Sequence, residues 1–221
     1  MDGKAEAVYS GLIETVELLK KQNKTLFSKL AKSNLQILRL LIKIVEQIDP
    51  YTKGHSLKVY RHVIKMAKRL NLDKEDIAII GKAALLHDIG KIAIDKRILN
   101  KKGKLTKEEL DMVRAHPSIG AQIIEKIECL KANCPHILYH HARFNGGGYP
   151  EQDLKFEDIP IGARLIAVAD SYDAMTSDRP YRKAYSKEKA IEELRRGTGT
   201  QYDPKVVAIF LEILTENDIR T

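Results

Sequence analysis

Tryptophan is absent from this chain of 221 residues, and aromatic residues amount to only 6% of it. Few side chains are therefore suited to the cross-strand aromatic pairs of a β-sandwich, and no alternating apolar pattern runs longer than a few positions. With 31% charged residues, the balance is that of a soluble, all-α protein. Cysteine is almost as scarce. Cys129 and Cys134 stand without a second pair, a spacing that fits neither a zinc ribbon nor a disulfide framework, so they read as reduced thiols in a cytoplasmic protein. No apolar run approaches the roughly 18 residues that signal a membrane span, and Met1-Asp2-Gly3-Lys4 does not open a secretion signal. Acidic residues are outnumbered, 30 against 38 Lys and Arg, for a formal charge of +8. That excess suits an anionic partner, though it also serves solubility or heat resistance. A packed basic cluster with interleaved aromatics is missing, so a small phosphorylated ligand is expected and a nucleic-acid polymer is not.

What the chain does contain is concentrated in Ala83-Ala84-Leu85-Leu86-His87-Asp88-Ile89-Gly90-Lys91-Ile92. A carboxylate inside so apolar a run needs a hydrogen-bonded partner, an opposite charge or a metal ion. If the run is helical, Lys91 lies three residues from Asp88 and four from His87, and all three can face one cleft. A core histidine beside an Asp–Lys ion pair would satisfy that stretch taken alone.

Helical spacing organises the rest. From about Ala5 to Ile48 apolar residues recur as Val8, Leu12, Val16, Leu19, Leu26, Leu30, Leu35, Leu38, Leu41, Ile42, Val45 and Ile48. Polar interruptions at Gln22-Asn23 and Ser33-Asn34 predict two helices, or one with a change of register. This segment is amphipathic enough to pack on a twin or on another domain. Asp49-Pro50 closes it. His55 then enters a helix running through Leu70, with His62 read as a surface residue. Asp73 is placed as the N-cap of a helix leading into His87-Asp88. Thr106 and Glu109 have capping-box form, with a helix end near Ala115. His116-Pro117 opens the next helix. A further helix, roughly Asn133 to Ala142, ends in His140-His141, and adjacent helical positions diverge by about 100°. Both can reach one ion only at a frayed end, before Asn145-Gly146-Gly147-Gly148-Tyr149-Pro150. Asp170 interrupts the apolar face of a helix after Pro160. Ser186 caps a short helix ending at Gly197, and Asp203-Pro204 opens the last one.

Apolar or junction positions thus hold His55, His87, Asp88, His116, His140, His141 and Asp170. Five histidines, two carboxylates and no thiolate make a nitrogen–oxygen donor set for borderline or hard divalent ions. One ion cannot take seven protein ligands and still bind substrate; two sharing a bridging carboxylate can.

In this order and spacing the residues resemble the HD-GYP family, a branch of the HD metal-dependent phosphohydrolases. The motif pieces are His87-Asp88-Ile89-Gly90-Lys91, His116-Pro117, His140-His141 with Gly146-Gly147-Gly148-Tyr149-Pro150, and Val168-Ala169-Asp170 with Thr176 to Arg182. They extend from about Asp49 to Leu214. The resemblance implies an HD-type helical bundle with a GYP loop, a catalytic domain over 49–221 and an N-terminal helical region over 1–48 for packing, dimerisation or signal input. It implies hydrolysis of cyclic di-GMP to pGpG or onward to GMP by an in-line attack of hydroxide held between two cations. The seven residues above are carried over as ligands, Asp88 bridging, with His55, His87 and Asp170 on one ion and His116, His140 and His141 on the other. Lys91 would contact the scissile phosphate, Gly148 and Tyr149 would line the ligand, and Arg179 with Arg182 would bind phosphate or guanine. Iron or manganese is the family's expectation, while the donor set also admits zinc, nickel or cobalt.

Three departures matter. Ala142 and Asn145 stand where most members carry Glu and Asp. Tyr51 stands where some members place a Glu that holds a third ion, so two ions are expected. Two other readings stay open: a binding module that turns over poorly and signals through its N-terminal helices, and a hydrolase of another cyclic dinucleotide or a guanosine polyphosphate.

Overall fold

The computed structural model describes residues 2–48, 54–101, 103–150, 153–178 and 183–219, with the backbone alone at 2–7 and 217–219. Asp49-Pro50, Tyr51, Arg179 and Arg182 lie outside the described residues. The chain divides into two units, Met1–Leu41 and Ile42–Thr221.

The first helix, α1 (Asp2–Ile48), is unbroken, which decides between the two expectations for this stretch in favour of one helix. The physical reason is that Gln22-Asn23 and Ser33-Asn34 interrupt the apolar pattern without interrupting the backbone. Each costs only a fraction of a kcal/mol in a helix, roughly 0.7 or less per residue against about 3 for proline.

In the second unit, α2 (His55–Arg69) starts behind Gly54, whose φ of 74° is the left-handed turn that lets His55 be the first helical residue. Its buried residues Val59, Val63, Met66 and Ala67 recur at i, i+4, i+7 and i+8. Asp73 caps α3 (Lys74–Leu86) by accepting from the Asp76 N–H at 2.8 Å, as its position predicted. The helix stops at Leu86, and the backbone tightens into a 3₁₀ turn at Ile89–Ala93, leaving His87 and Asp88 at the junction. After α4 (Lys96–Leu99), the expected capping box opens α5 (Lys107–Arg114), with Thr106 and Glu109 each accepting the other's N–H. Ala115 passes the chain directly to α6 (His116–Glu125).

The helix expected over 133–142 is much shorter. A 3₁₀ stretch, Glu128–Asn133, precedes α7 (Cys134–Leu138), and His140 and His141 lie in the turn beyond it. Turn bonds replace the helical ladder there, since the Ala142 N–H donates to the Tyr139 carbonyl at 3.0 Å and His140 Nδ1 donates to the Ile137 carbonyl at 2.6 Å. The remaining helices are α8 (Ile161–Thr176), α9 (Lys187–Arg196) and α10 (Pro204–Ile219).

Helix α8 is buried on most of its circumference, through Ala163, Leu165, Ile166, Val168 and Ala169, because α2, α3, α7, α9 and α10 all pack against it. Phe210 of α10 and Met66 of α2 are among the largest fully buried side chains of this core. Arg164 joins its edges, donating to Asp203 at 2.5 Å and to the Ile159 carbonyl at 2.9 Å. His62 is not a surface residue: it is half-buried, with its ring edge-on to Tyr172 and Phe210 at 5.7 and 5.1 Å. Among the described residues there is no β-strand, and no helix is long and apolar enough to cross a membrane.

Candidate metal centre

Four helix junctions converge. The start of α2 contributes His55, the end of α3 His87 and Asp88, the start of α6 His116, and the turn after α7 His140 and His141, while Asp170 comes from the middle of α8. Close backbone approach makes this convergence possible at two glycines. A Cβ on Gly90 would lie 1.9 Å from the His116 carbonyl oxygen, and one on Gly148 would lie 2.4 Å from that of His141. Gly148, at φ +84°, also occupies a conformation that side chains disfavour.

The imidazoles are oriented from behind. His87 Nδ1 faces the Ala84 carbonyl at 2.9 Å, His116 Nδ1 that of Val113 at 2.8 Å, and His140 Nδ1 that of Ile137 at 2.6 Å. A carbonyl can only accept, so each Nδ1 carries the proton, and in the neutral ring each Nε2 presents a lone pair inward. His116 Nε2 and His140 Nε2 are then two acceptors facing each other at 3.3 Å, and His87 Nε2 is buried without a hydrogen-bond partner. Buried lone pairs turned on one another are costly unless a cation stands between them. This donor arrangement fits a divalent ion.

All seven residues singled out in the sequence are brought together, in three groups whose donor atoms lie within 4.8 Å of one another: His116, His140 and His141; His55, His87 and Asp170; and His87, Asp88 and His140. Asp88 connects the first two. Its Oδ1 is 3.4 Å from His116 Nε2 and its Oδ2 is 3.5 Å from His87 Nε2, one oxygen toward each group. Lys91 reaches back from the 3₁₀ turn to Asp88 Oδ2 at 2.8 Å.

Electrostatics separate the groups. Burial pushes His141 down to about 3 and holds His116 and His140 low as well, keeping these rings neutral and able to ligate. Burial also opposes charge on His55, but bonds with Asp170 and Asp173 outweigh it and raise the ring to about 10. Asp88 and Asp170 are held well below the usual carboxylate range: their burial is overcome by Lys91 and the surrounding histidines at Asp88, and by His55 at Asp170.

Two residues gain a place that sequence reasoning did not assign. Asp173 accepts from His55 Nδ1 at 2.7 Å while His55 Nε2 faces Asp170 at 3.1 Å. Its position three residues after Asp170, one turn along the same helix, was the available signal. Arg114 sets its guanidinium 5.8 Å from the centre of the Tyr149 ring, just outside His116. Tyr149 itself stacks on His141, at 4.5 Å between centroids and 30° between planes, so one of its faces is already covered by the site. Ala142 pairs with Gly148 in an isolated bridge, and the exposed Asn145 donates its N–H to the Thr200 carbonyl at 3.0 Å.

An all-helical domain that turns histidine lone pairs and two buried carboxylates onto shared points is a domain built to bind divalent metal. A family model described as HD domain matches residues 39–206. The chain belongs to the HD-domain family, in the HD-GYP branch that its motifs resemble. It is 41% identical over 167 residues to the cyclic di-GMP phosphodiesterase PA4108 of Pseudomonas aeruginosa, covering 74% of this chain and 39% of that protein. A cyclic di-GMP phosphodiesterase of Thermotoga maritima is 36% identical over 201 residues, covering 90% of this chain and 54% of that one. The chain thus spans about half the length, or less, of these curated relatives. In fold it is similar to a cyclic GMP-AMP-specific phosphodiesterase of Vibrio cholerae, with a TM-score of 0.60, 19% identity, and coverage of 80% of this chain and 48% of that one.

Proposed function

We propose that residues 49–221 form a metal-dependent phosphodiesterase that cleaves a 3′-5′ linkage of cyclic di-GMP, giving pGpG, GMP or both. The observation that carries this reading is Asp88, with one carboxylate oxygen toward each histidine group. Two cations, of iron or manganese by the family's habit and of zinc, nickel or cobalt by donor chemistry alone, fit the two groups. When bound, such a pair supplies an activated water and a clamp on the phosphate. His55, His87 and Asp170 hold one side, His116, His140 and His141 the other, and Asp88 is shared.

The chain's own residues supply the rest. Lys91, only 18% exposed at its side chain and anchored on Asp88, brings a positive charge to the edge of the centre, where the charge on a transferring phosphate develops. The Gly148 backbone and the Tyr149 ring form a wall beside the ligand, Arg114 adds a cation there, and Arg179 and Arg182 contact phosphate or guanine. Two free cysteines support a cytoplasmic location.

Ala142 favours a second reading. It replaces the carboxylate expected beside the His140-His141 pair and leaves only a methyl group there, so a module that binds the dinucleotide but turns it over poorly would carry the same centre. Anaerobic purification with elemental analysis, followed by product chromatography on metal-supplemented protein, separates the two. Two ions per chain with pGpG or GMP formed, and loss of both product and metal in Asp88→Ala, are expected. Saturable binding without product would favour the binding module, a metal content near three would overturn the two-ion assignment, and turnover of only another cyclic dinucleotide or a guanosine polyphosphate would reassign the substrate.

A further inference from the structure

Helix α1 presents an apolar surface with no partner in the described residues. Tyr9, Leu12, Val16, Leu19, Leu26, Leu30, Ile37 and Leu40 are each between 42% and 70% exposed. Their spacing is not that of scattered surface leucines. Tyr9, Val16, Asn23, Leu30 and Ile37 recur every seven residues, and Leu12, Leu19, Leu26, Ser33 and Leu40 follow each of them by three. These are the a and d positions of a coiled coil, sustained over more than the three to four heptads at which the pattern becomes diagnostic.

We propose that α1 pairs with α1 of a second copy of this chain as a parallel, in-register, two-stranded coiled coil. Three features select that occupant. Leucine at four of five d positions, with Val16 and Ile37 at a, is the combination that favours two parallel strands. Asn23 and Ser33 are the polar residues of the seam, and Asn23 lies at an a position; in a parallel pair it meets its twin and the two amides hydrogen-bond, whereas an antiparallel pairing sets it against a leucine. The flanking g-to-e′ pairs of the parallel register are Val8–Ile13, Thr15–Lys20, Gln22–Phe27 and Lys29–Asn34, none of which opposes like charges. From Tyr9 to Leu40 the seam is about 46 Å long at 1.5 Å per residue and about 12 Å wide. Summed over two copies that is roughly 1,100 Å², above the approximately 1,000 Å² that a specific interface needs.

The test uses the full chain with Cys129 and Cys134 replaced by Ser. Light scattering should give a dimer at micromolar concentration. Leu12→Cys alone and Leu40→Cys alone should each form an interchain disulfide on mild oxidation, because positions about 42 Å apart along the helix meet only their own twins in a parallel register. Leu19→Glu with Leu26→Glu should give monomers with unchanged metal content, whereas Leu18→Glu with Leu35→Glu, equally exposed but off the seam at 57% and 54%, should remain dimeric. A monomeric parent would overturn the proposal. So would disulfides appearing only when the two cysteine variants are mixed, or dissociation caused equally by both glutamate pairs.

Discussion

His55 is held differently from the rings around it. His87, His116 and His140 donate Nδ1–H to main-chain carbonyls, which are fixed by their helices, whereas His55 depends on the Asp173 side chain. A carboxylate behind a histidine raises its basicity and locks its tautomer, and losing such a partner typically weakens metal binding about 10- to 100-fold. Asp173→Asn is therefore expected to lower metal affinity by that order in a chelator competition, with the helical circular dichroism signal unchanged. Unaltered affinity would remove Asp173 from the centre. The seven ligand-type residues were legible in the sequence because His87, Asp88 and Asp170 interrupt apolar stretches, the other histidines fall at helix junctions, and their order together matches the HD-GYP motifs. Asp173 was not, because its one local signal, the three-residue spacing from Asp170, fits an exposed helical carboxylate equally well, and only the packing of α2 on α8 buries it to 4% exposure.

At the scale of elements, the centre depends on short pieces fitted closely. The 3₁₀ turn at Ile89–Ala93 lies against α6 so tightly that Gly90 has the Gly120 nitrogen 2.6 Å, and the His116 oxygen 1.9 Å, from where a Cβ would be. Both neighbours are backbone and cannot rotate away. Gly90→Ala should push the turn off α6, at a cost of about 1–3 kcal/mol in chemical denaturation. It should also separate His116 from Asp88 and lower the metal content of purified protein; a variant with normal stability and full metal would contradict the packing described. The same contact explains a limit of sequence reading. A helix continuing through His87 and Asp88 and a helix ending there have similar local patterns, and the meeting with α6 decides between them. At α7 the expected helix shortened for a related reason, since bonds from the His140 ring and the Ala142 N–H take the carbonyls of Ile137 and Tyr139.

For the whole molecule, the centre ties stability to pH and to metal. In the metal-free protein, burial lowers His116, His140 and His141, the last to about 3, against roughly 6.5 in an unfolded chain. Below 6.5 the unfolded chain takes up protons that these folded rings refuse, so stability falls as the solution is acidified from 6.5 toward 3. His55 runs the other way. Raised to about 10, it stabilises the fold fully below 6.5 and loses that contribution as pH rises toward 10. Thermal melting of metal-stripped protein should therefore peak near neutrality and decline at both pH 5 and pH 9. Added divalent metal should raise Tm at pH 7 by mass action, with a smaller gain at pH 5 where protons compete for the same lone pairs. A metal-free Tm flat between pH 5 and pH 9 would show that these rings are not buried as described.

By itself, the sequence determined what is written in periodicity and in local chemical contradiction. It specified helices throughout, the caps at Asp73, Thr106 and Ser186, the heptads of α1, and the seven histidines and carboxylates at apolar or junction positions whose order matches the HD-GYP motifs. These features are set by neighbours within one or two helical turns. Only the tertiary structure decided that four helix junctions meet at one place, that Asp88 turns one oxygen toward each histidine group, and that Asp173 and Arg114 stand beside them. Those are distances between residues up to 118 positions apart in the chain, as from His55 to Asp173, and they are fixed by how α2, α3, α6 and α8 pack.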